Sequence, residues 1–322
     1  MKVVTFTQAL RETLEAEMVR DPSIVLMGED IGVYGGSFGV TRGLVERFGA
    51  ARVRDTPISE QALAGCAIGA AVGGLRPIAE FMFADFSLLA LDQIANLAAK
   101  LQPIYGISCP VVFRAPFGAG RGYGATHSQC LERFFFGVPG IKIAVPSTAA
   151  DAAGLLQSAI RDPNPVFFFE HKLLYPLRFE VPEEIAPVPF GKAAVTRAGD
   201  DVTIVGWGFA AHEALRAAET LAAEGVSAEV VDLRTLAPLD IETIVASAQH
   251  TGRLLVVEEG PLTGGIGAEI SAQVAPRAFE YLEHPIARLA SPDLPVPAAR
   301  ELEADFLPSA ARIAAAARDL MA

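Results

Sequence analysis

Short runs of β-branched and aromatic residues alternate along this chain with longer stretches whose apolar positions recur every three or four residues. The runs Ile24–Leu26, Ile78–Phe81, Val111–Arg114, Ile141–Val145 and Val166–Glu170 predict strands. Between them, residues 60–75, 86–101 and 148–161 predict helices. The N-terminus, MKVVTFTQALRETLEAEM, predicts one more strand entering an amphipathic helix. Such continuous apolar runs belong to strands covered on both faces, which predicts a doubly wound α/β unit with a mostly parallel sheet. The rhythm stops at LRFEVPEEIAPVPFGKA (177–193), where prolines and charges predict a linker. It then restarts. Val202–Val205, Ala228–Leu233, Leu254–Glu258 and Ile286–Leu289 predict strands, and residues 209–224, 240–249, 267–276 and 308–321 predict helices. The expectation is two doubly wound α/β domains, residues 1–185 and 186–322.

Composition agrees with that reading and narrows the function. A chain of 322 residues with 51% hydrophobic and 20% charged residues buries a large core and is not a disordered protein. Mean hydropathy is high at +0.35, yet no uncharged apolar run reaches the ~18–20 residues of a membrane span. The surplus apolar surface points to contact with other subunits. A net charge of −12 argues against a nucleic-acid footprint and against binding to an acidic membrane. Cys66, Cys109 and Cys130 have no paired spacing, which excludes a disulfide scaffold and a Cys-rich zinc site and fits a reducing compartment. The N-terminus has no signal-peptide core and is too acidic for a transit peptide, so a cytoplasmic location is expected.

Several segments carry candidate chemistry. IVLMGED sets Glu29 and Asp30 just after a buried strand, where open parallel sheets bind ligands; a solvated acidic loop reads equally well. DTPISEQALAGCAIGAAVGG places Glu60 at the start of an almost wholly apolar helix, with Ser59 as its N-cap. Gly65, Gly69 and Gly73 fall four apart on that helix, at a cost of ~1 kcal/mol each. Close packing against a neighbouring helix explains them, either inside the domain or at a subunit interface. GAGRGYGATHSQ places His127 in a glycine-rich surface loop, where an imidazole can exchange protons near neutrality. GGIGAEI (264–270) lacks the third glycine and the following acid of a dinucleotide loop.

These residues together resemble a family. Glu60, four residues on Gly65, then Cys66 and Gly69, match the motif of the pyrimidine-binding domain in thiamine-diphosphate enzymes. GEDIGVYGGSFGVTRGL, RVRDTPISE, GLRPIAEFMFADF, THSQ, AIRDPNPVFFFEHKLLY, VDLRTLAPLD and GPLTGGIGAEI extend the match over essentially the whole chain. The chain resembles the β subunit of the first, decarboxylating component of 2-oxo acid dehydrogenase complexes, which act on pyruvate, branched-chain 2-oxo acids or acetoin. The resemblance implies a transketolase-like pyrimidine-binding domain followed by a transketolase C-terminal-like domain. It implies that Glu60 bonds the cofactor's pyrimidine ring nitrogen and favours the imino tautomer that takes the thiazolium proton. It assigns Glu29 to coupling between active sites, Phe86 to packing on the aminopyrimidine and Ile58 to a backbone contact with it. It assigns His127 to acyl transfer and reads GGIGAEI as the start of a subunit-contact helix. AIRDPNP resembles a potassium loop of some relatives, with the carbonyls of Val111, Ala159 and Ile160, the Asp162 side chain, and Asn164 as ligands; as bare sequence it is equally a simple turn.

No Gly-Asp-Gly occurs, which in such enzymes opens the motif holding Mg²⁺ and the diphosphate. An α subunit is therefore expected to supply them in an α2β2 heterotetramer. The implied activity is decarboxylation of a 2-oxo acid with acyl transfer to the lipoyl arm of an acyltransferase core. KLQPIYGISCPVVFR and PVPAARELE depart from the usual family pattern, the second by lacking an aromatic after its second proline. These departures keep a second reading open, a carboligase of the same scaffold that gives a two-carbon unit to a carbonyl acceptor. A non-catalytic interaction subunit is a third reading, opposed by the joint presence of Glu29, Glu60 and His127.

Overall fold

The computed structural model describes residues 1–322, and the chain separates into two units: residues 1–117 with 134–190, and residues 118–133 with 191–322. In the first unit, β1 (Lys2–Thr5) leads directly into α1 (Phe6–Arg20). Thr5 caps α1, its Oγ1 accepting the Gln8 N–H at 3.1 Å. Ala9, Leu10, Thr13, Leu14, Glu17 and Met18 follow helical spacing and form the buried face of α1. Burying each large apolar side chain stabilises the fold by about 1.5–3 kcal/mol.

The predicted apolar runs become β2 (Ile24–Gly28), β4 (Arg76–Glu80), β5 (Val112–Phe117), β6 (Lys142–Ala144) and β7 (Val166–His171), and an unpredicted strand, β3 (Val53–Asp55), joins them. They pair in parallel in the order β6-β7-β5-β4-β2-β3. Phe81, Phe113, Phe135, Phe167 and Phe169 are buried against one another, with Phe167 stacked on Phe169 at 4.1 Å. Two helices complete the frame used below, α2 (Glu60–Val72) and α3 (Ala149–Arg161); α3 packs on α1 and is capped by Thr148.

Two stretches differ from the sequence expectation. Residues 86–101 are not one α-helix but a 3₁₀ segment (Ala84–Ala90), a π segment (Gln93–Ala98) and a short α segment (Ala99–Tyr105). Pro103 has no N–H to give the Ala99 carbonyl. That carbonyl instead faces Gly140, where a Cβ would collide with it and where φ is +100°. The expected linker contains β8 (Arg178–Val181), paired antiparallel with β1. Its apolar residues Phe179 and Val181 pack with Val4 and Ala149, so tertiary burial overrides the neighbouring proline and charges.

In the second unit, β9 (Ala194–Arg197), β10 (Val202–Gly206), β11 (Ala228–Asp232), β12 (Leu254–Pro261) and β13 (Ala287–Ser291) pair in the order β13-β12-β10-β11-β9. Only the β9 edge is antiparallel. Helices α4 (Gly208–Ala223), α5 (Ile241–Thr251), α6 (Ile266–Ala278), α7 (Arg300–Phe306) and α8 (Ala310–Asp319) surround this sheet. Val202, Ile204, Ala214, Ala217, Leu221, Val230, Leu255 and Ile313 form one of its buried clusters. No helix of either unit is long and apolar enough to cross a membrane.

Candidate active site

The segments after the carboxyl ends of β2, β3 and β4 carry Glu29, Ile58, Glu60 and Phe86, where open parallel sheets bind ligands. Glu29 follows β2, and Asp30 after it adopts φ +54°, an uncommon left-handed turn for a residue with a side chain. Gly28 lets this turn approach β4, since a Cβ there would lie 2.7 Å from the Glu80 carbonyl. Residues 56–59 run from β3 into α2, which begins at Glu60. Ser59 occupies the N-cap position but its side chain caps nothing.

Glu29 and Glu60 meet electrostatically. Burial, first, and then the Glu60 and Asp30 charges push the Glu29 carboxyl above the ordinary carboxylate range. Glu60 is only 6% exposed, yet its carboxylate makes no hydrogen bond within the chain. Its oxygens are not sealed inside the chain, so their acceptor capacity is open to a partner. The carboxylate therefore suits a ligand that presents an N–H to it, as the pyrimidine half of thiamine diphosphate does. Phe86 is half-buried on the 3₁₀ segment that packs against α2, and its ring meets Phe83 edge-to-face at 6.0 Å. Ile58 is 81% exposed.

The glycine face of α2 is not filled from within the chain. A Cβ at Gly69 would meet nothing within 4 Å, and one at Gly65 only the end of the Gln93 side chain, its amide oxygen at 3.4 Å. Ala62, Cys66 and Gly69 are exposed along this face. Packing inside the domain therefore does not explain the Gly65–Gly69 spacing.

The 159–164 loop holds its oxygens close to two fixed cations. The Ile160 carbonyl accepts from Arg76 at 2.9 Å, and the Asp162 carboxylate pairs with Lys142 while accepting the Asn164 N–H at 2.9 Å. The Val111 carbonyl accepts from Val166 N–H at 3.0 Å and the Ala159 carbonyl from Asp162 N–H at 3.3 Å. Asn164 Oδ1 is buried with no donor. That orphaned oxygen, with the spare lone pairs of the carbonyls, fits a hard cation; the Lys142 pair already satisfies much of Asp162.

His127 belongs to the second unit. Its loop carries Gly118, Gly120, Gly122 and Gly124, all at φ between +72° and +95°. The half-buried imidazole shares a hydrogen bond with Thr126, Nδ1 lying 2.9 Å from Oγ1. Beside it lies a cavity of about 710 Å³, lined by Thr126, Ser128, Cys130, Glu259, Leu294 and Phe306 among others.

Sequence reasoning passed over the acids beneath this loop. Glu259 accepts the Ala119 N–H at 2.6 Å, and Glu303 accepts those of Gly120 and Gly122. Burial pushes the Glu132 carboxyl up to about 7, with Glu259 and Glu258 adding to the effect while Trp207 Nε1–H, 3.2 Å away, opposes it. In the first unit it also missed Arg114, which is buried in a fork with Glu170 (2.7 and 2.8 Å) and bonds Glu80 at 2.6 Å. Arg114, Glu132 and Glu259 are charges set inside or at the end of apolar runs, and such a charge needs a buried partner, whereas Glu303 lies among other charges and gives no such signal. GGIGAEI has a local reason too. A Cβ at Gly265 or Gly267 would collide with the Glu258 carboxylate, which accepts the Gly267 N–H and pairs with Arg288.

Residues 2–178 match the family described as transketolase, pyrimidine binding domain, and residues 191–313 the one described as transketolase, C-terminal domain. Acetoin:2,6-dichlorophenolindophenol oxidoreductase subunit beta of Cupriavidus necator is 50% identical over 325 residues, covering 97% of this chain and 96% of that protein. Pyruvate dehydrogenase E1 component subunit beta of Rickettsia bellii is 46% identical, covering 95% of each chain. 2-Oxoisovalerate dehydrogenase subunit beta of Bacillus subtilis is also 46% identical and covers 99% of each. Among solved structures, a split-gene transketolase described as an inactive β4 tetramer superposes with a TM-score of 0.81 at 26% identity, over 99% of this chain and 98% of that one.

Proposed function

Because the chain belongs to the family of 2-oxo acid dehydrogenase β subunits built on transketolase pyrimidine-binding and C-terminal domains, we propose that it is the β subunit of an α2β2 enzyme of this kind. The enzyme decarboxylates a 2-oxo acid on thiamine diphosphate and passes the acyl group to a lipoyl arm of an acyltransferase core. The observation that carries this reading is Glu60, a buried carboxylate without an internal donor at the mouth of a helix whose glycine face is open. When bound, thiamine diphosphate supplies an acidic carbon that adds to the 2-oxo acid and accepts the charge left by departing CO2. The protein's part is to bind, orient and manage protons. Glu60 holds a proton at the pyrimidine ring nitrogen, Phe86 packs on that ring, Ile58 meets it through the backbone, and Glu29 keeps a second titratable carboxyl beside Glu60. His127 serves the transfer step. The open Gly65–Gly69 face receives a helix of another subunit, and the α subunit brings Mg²⁺ and the diphosphate half.

Co-expression with the α subunit, followed by assays on pyruvate, branched 2-oxo acids and acetoin, tests the activity. The 50% identity to an acetoin-oxidoreductase β subunit favours acetoin as the second substrate to assay, with dichlorophenolindophenol as acceptor. Absence of turnover on all of them would defeat the proposal.

A narrower expectation follows from the missing Gly-Asp-Gly. The chain alone should bind thiamine diphosphate poorly, and adding the α subunit should restore binding. Calorimetric titration with Mg²⁺ and cofactor reads this directly. Micromolar binding by the lone chain would contradict the division of the site.

Potassium on the 159–164 loop is proposed with Asn164 Oδ1 as the oxygen that the chain leaves free. The carbonyls of Val111, Ala159 and Ile160 and the Asp162 side chain complete the set. Exchanging Na⁺ for K⁺ should raise the thermal midpoint of the chain, and Asn164→Ala should remove the increment. Equal midpoints in the two salts would leave the loop a simple turn.

A further inference from the structure

We propose that Glu303, helped by Glu259, is a positioning residue that clasps the His127 loop by its backbone N–H groups. A loop with Gly118, Gly120, Gly122 and Gly124 in left-handed conformations has high entropy when free, so something must hold it in one geometry. The holder is visible. One oxygen of Glu303 accepts the Gly120 N–H at 2.8 Å and the other accepts the Gly122 N–H at 2.7 Å. Glu259 takes the preceding Ala119 N–H at 2.6 Å. These short contacts are charge-assisted bonds to a concave run of amides.

Glu303 is 2% exposed and pairs with no guanidinium or ammonium. Its hydrogen-bond donors are the loop amides, so releasing the loop would leave a buried carboxylate without donors. The loop also sits directly on the segment that carries Glu303. A Cβ at Gly122 would lie 3.2 Å from the Ala298 carbonyl and 3.5 Å from Arg300 Cγ, and one at Gly124 would lie 3.3 Å from Ala298 Cβ. His127 follows at once, its N–H turned back onto the Gly124 carbonyl at 3.3 Å. The clasp thus sets where the imidazole stands.

The consequence for catalysis rests on the proposed role of His127 in acyl transfer, but the clasp itself is testable without it. In the enzyme assembled with its α subunit, Glu303→Gln and Glu303→Ala are compared with wild type by hydrogen exchange of the peptide spanning residues 118–127. Each lost charge-assisted bond should speed exchange of the Gly120 and Gly122 amides by about tenfold or more. Glu303→Gln keeps the side-chain volume, one acceptor oxygen and the fold, and should lower kcat for acyl transfer about tenfold while leaving KM for the 2-oxo acid unchanged. A merely structural loss would instead move the thermal midpoint or both kinetic constants. Exchange within twofold of wild type in folded Glu303→Gln and Glu303→Ala overturns the clasp. Wild-type acyl transfer by His127→Ala would defeat the functional reading instead, and the exchange rates would still decide the clasp.

Discussion

Glu60→Gln is expected to abolish decarboxylation by the assembled enzyme while leaving the fold in place. Glutamine matches the shape of glutamate, and Glu60 makes no hydrogen bond in the chain that the substitution could break. On the proposed role, what changes is the charge offered to the cofactor's pyrimidine nitrogen. One charge-assisted hydrogen bond is worth ~1.5–3 kcal/mol, and a preorganised charge aimed at a developing one in a dry site costs ~10²–10³-fold when removed. Glu60→Ala should be as inactive. Glu29 provides a readout independent of turnover. Its raised carboxyl means that the folded chain binds more protons than the unfolded chain just above the ordinary carboxylate range. Stability therefore declines as pH rises through that window. Removing the Glu60 charge lowers the Glu29 carboxyl toward its ordinary value and flattens the decline. Near-normal turnover in Glu60→Gln, measured by CO2 release, would remove Glu60 from the chemistry.

The central parallel strands of both sheets were legible because they are buried on both faces and read as uninterrupted apolar runs, from Ile24 to Val256, whereas the edge strand β3 escaped because only Val53 of its three residues is buried. Residues 86–101 misled because periodicity reports which face is apolar, not whether hydrogen bonds close at three, four or five residues. β8 was hidden for a different reason. Phe179 and Val181 alternate over too short a span to outweigh the prolines around them, and only contact with β1 makes them a strand. The acids divide in the same way. Glu60 stood out because it opens an almost wholly apolar helix, whereas Glu259 and Glu303 look like ordinary charges near a strand end and on a short helix. Their role depends on amides at Ala119, Gly120 and Gly122, well over a hundred positions away, and no local pattern encodes that pairing.

His127→Ala is expected to separate two assays that share the same decarboxylation. Acyl transfer to a lipoyl arm opens the disulfide of that arm. One sulfur forms the new bond to the acyl carbon, the other leaves with the electron pair of the broken S–S bond, and that thiolate needs a proton. An imidazolium can supply it, because imidazole exchanges protons near neutral pH. The position is suitable: His127 is half-buried, on a loop of left-handed glycines, with Thr126 Oγ1 against Nδ1. Ferricyanide accepts electrons and needs no proton at sulfur. His127→Ala should therefore lower lipoyl acylation by ~10²–10⁴-fold, the usual span for general acid–base help, with a much smaller effect on ferricyanide-coupled turnover. Equal losses in both assays would place His127 in decarboxylation itself. Unchanged rates in both would assign it to holding the loop, and the proton at sulfur would then have to come from the α subunit or from water.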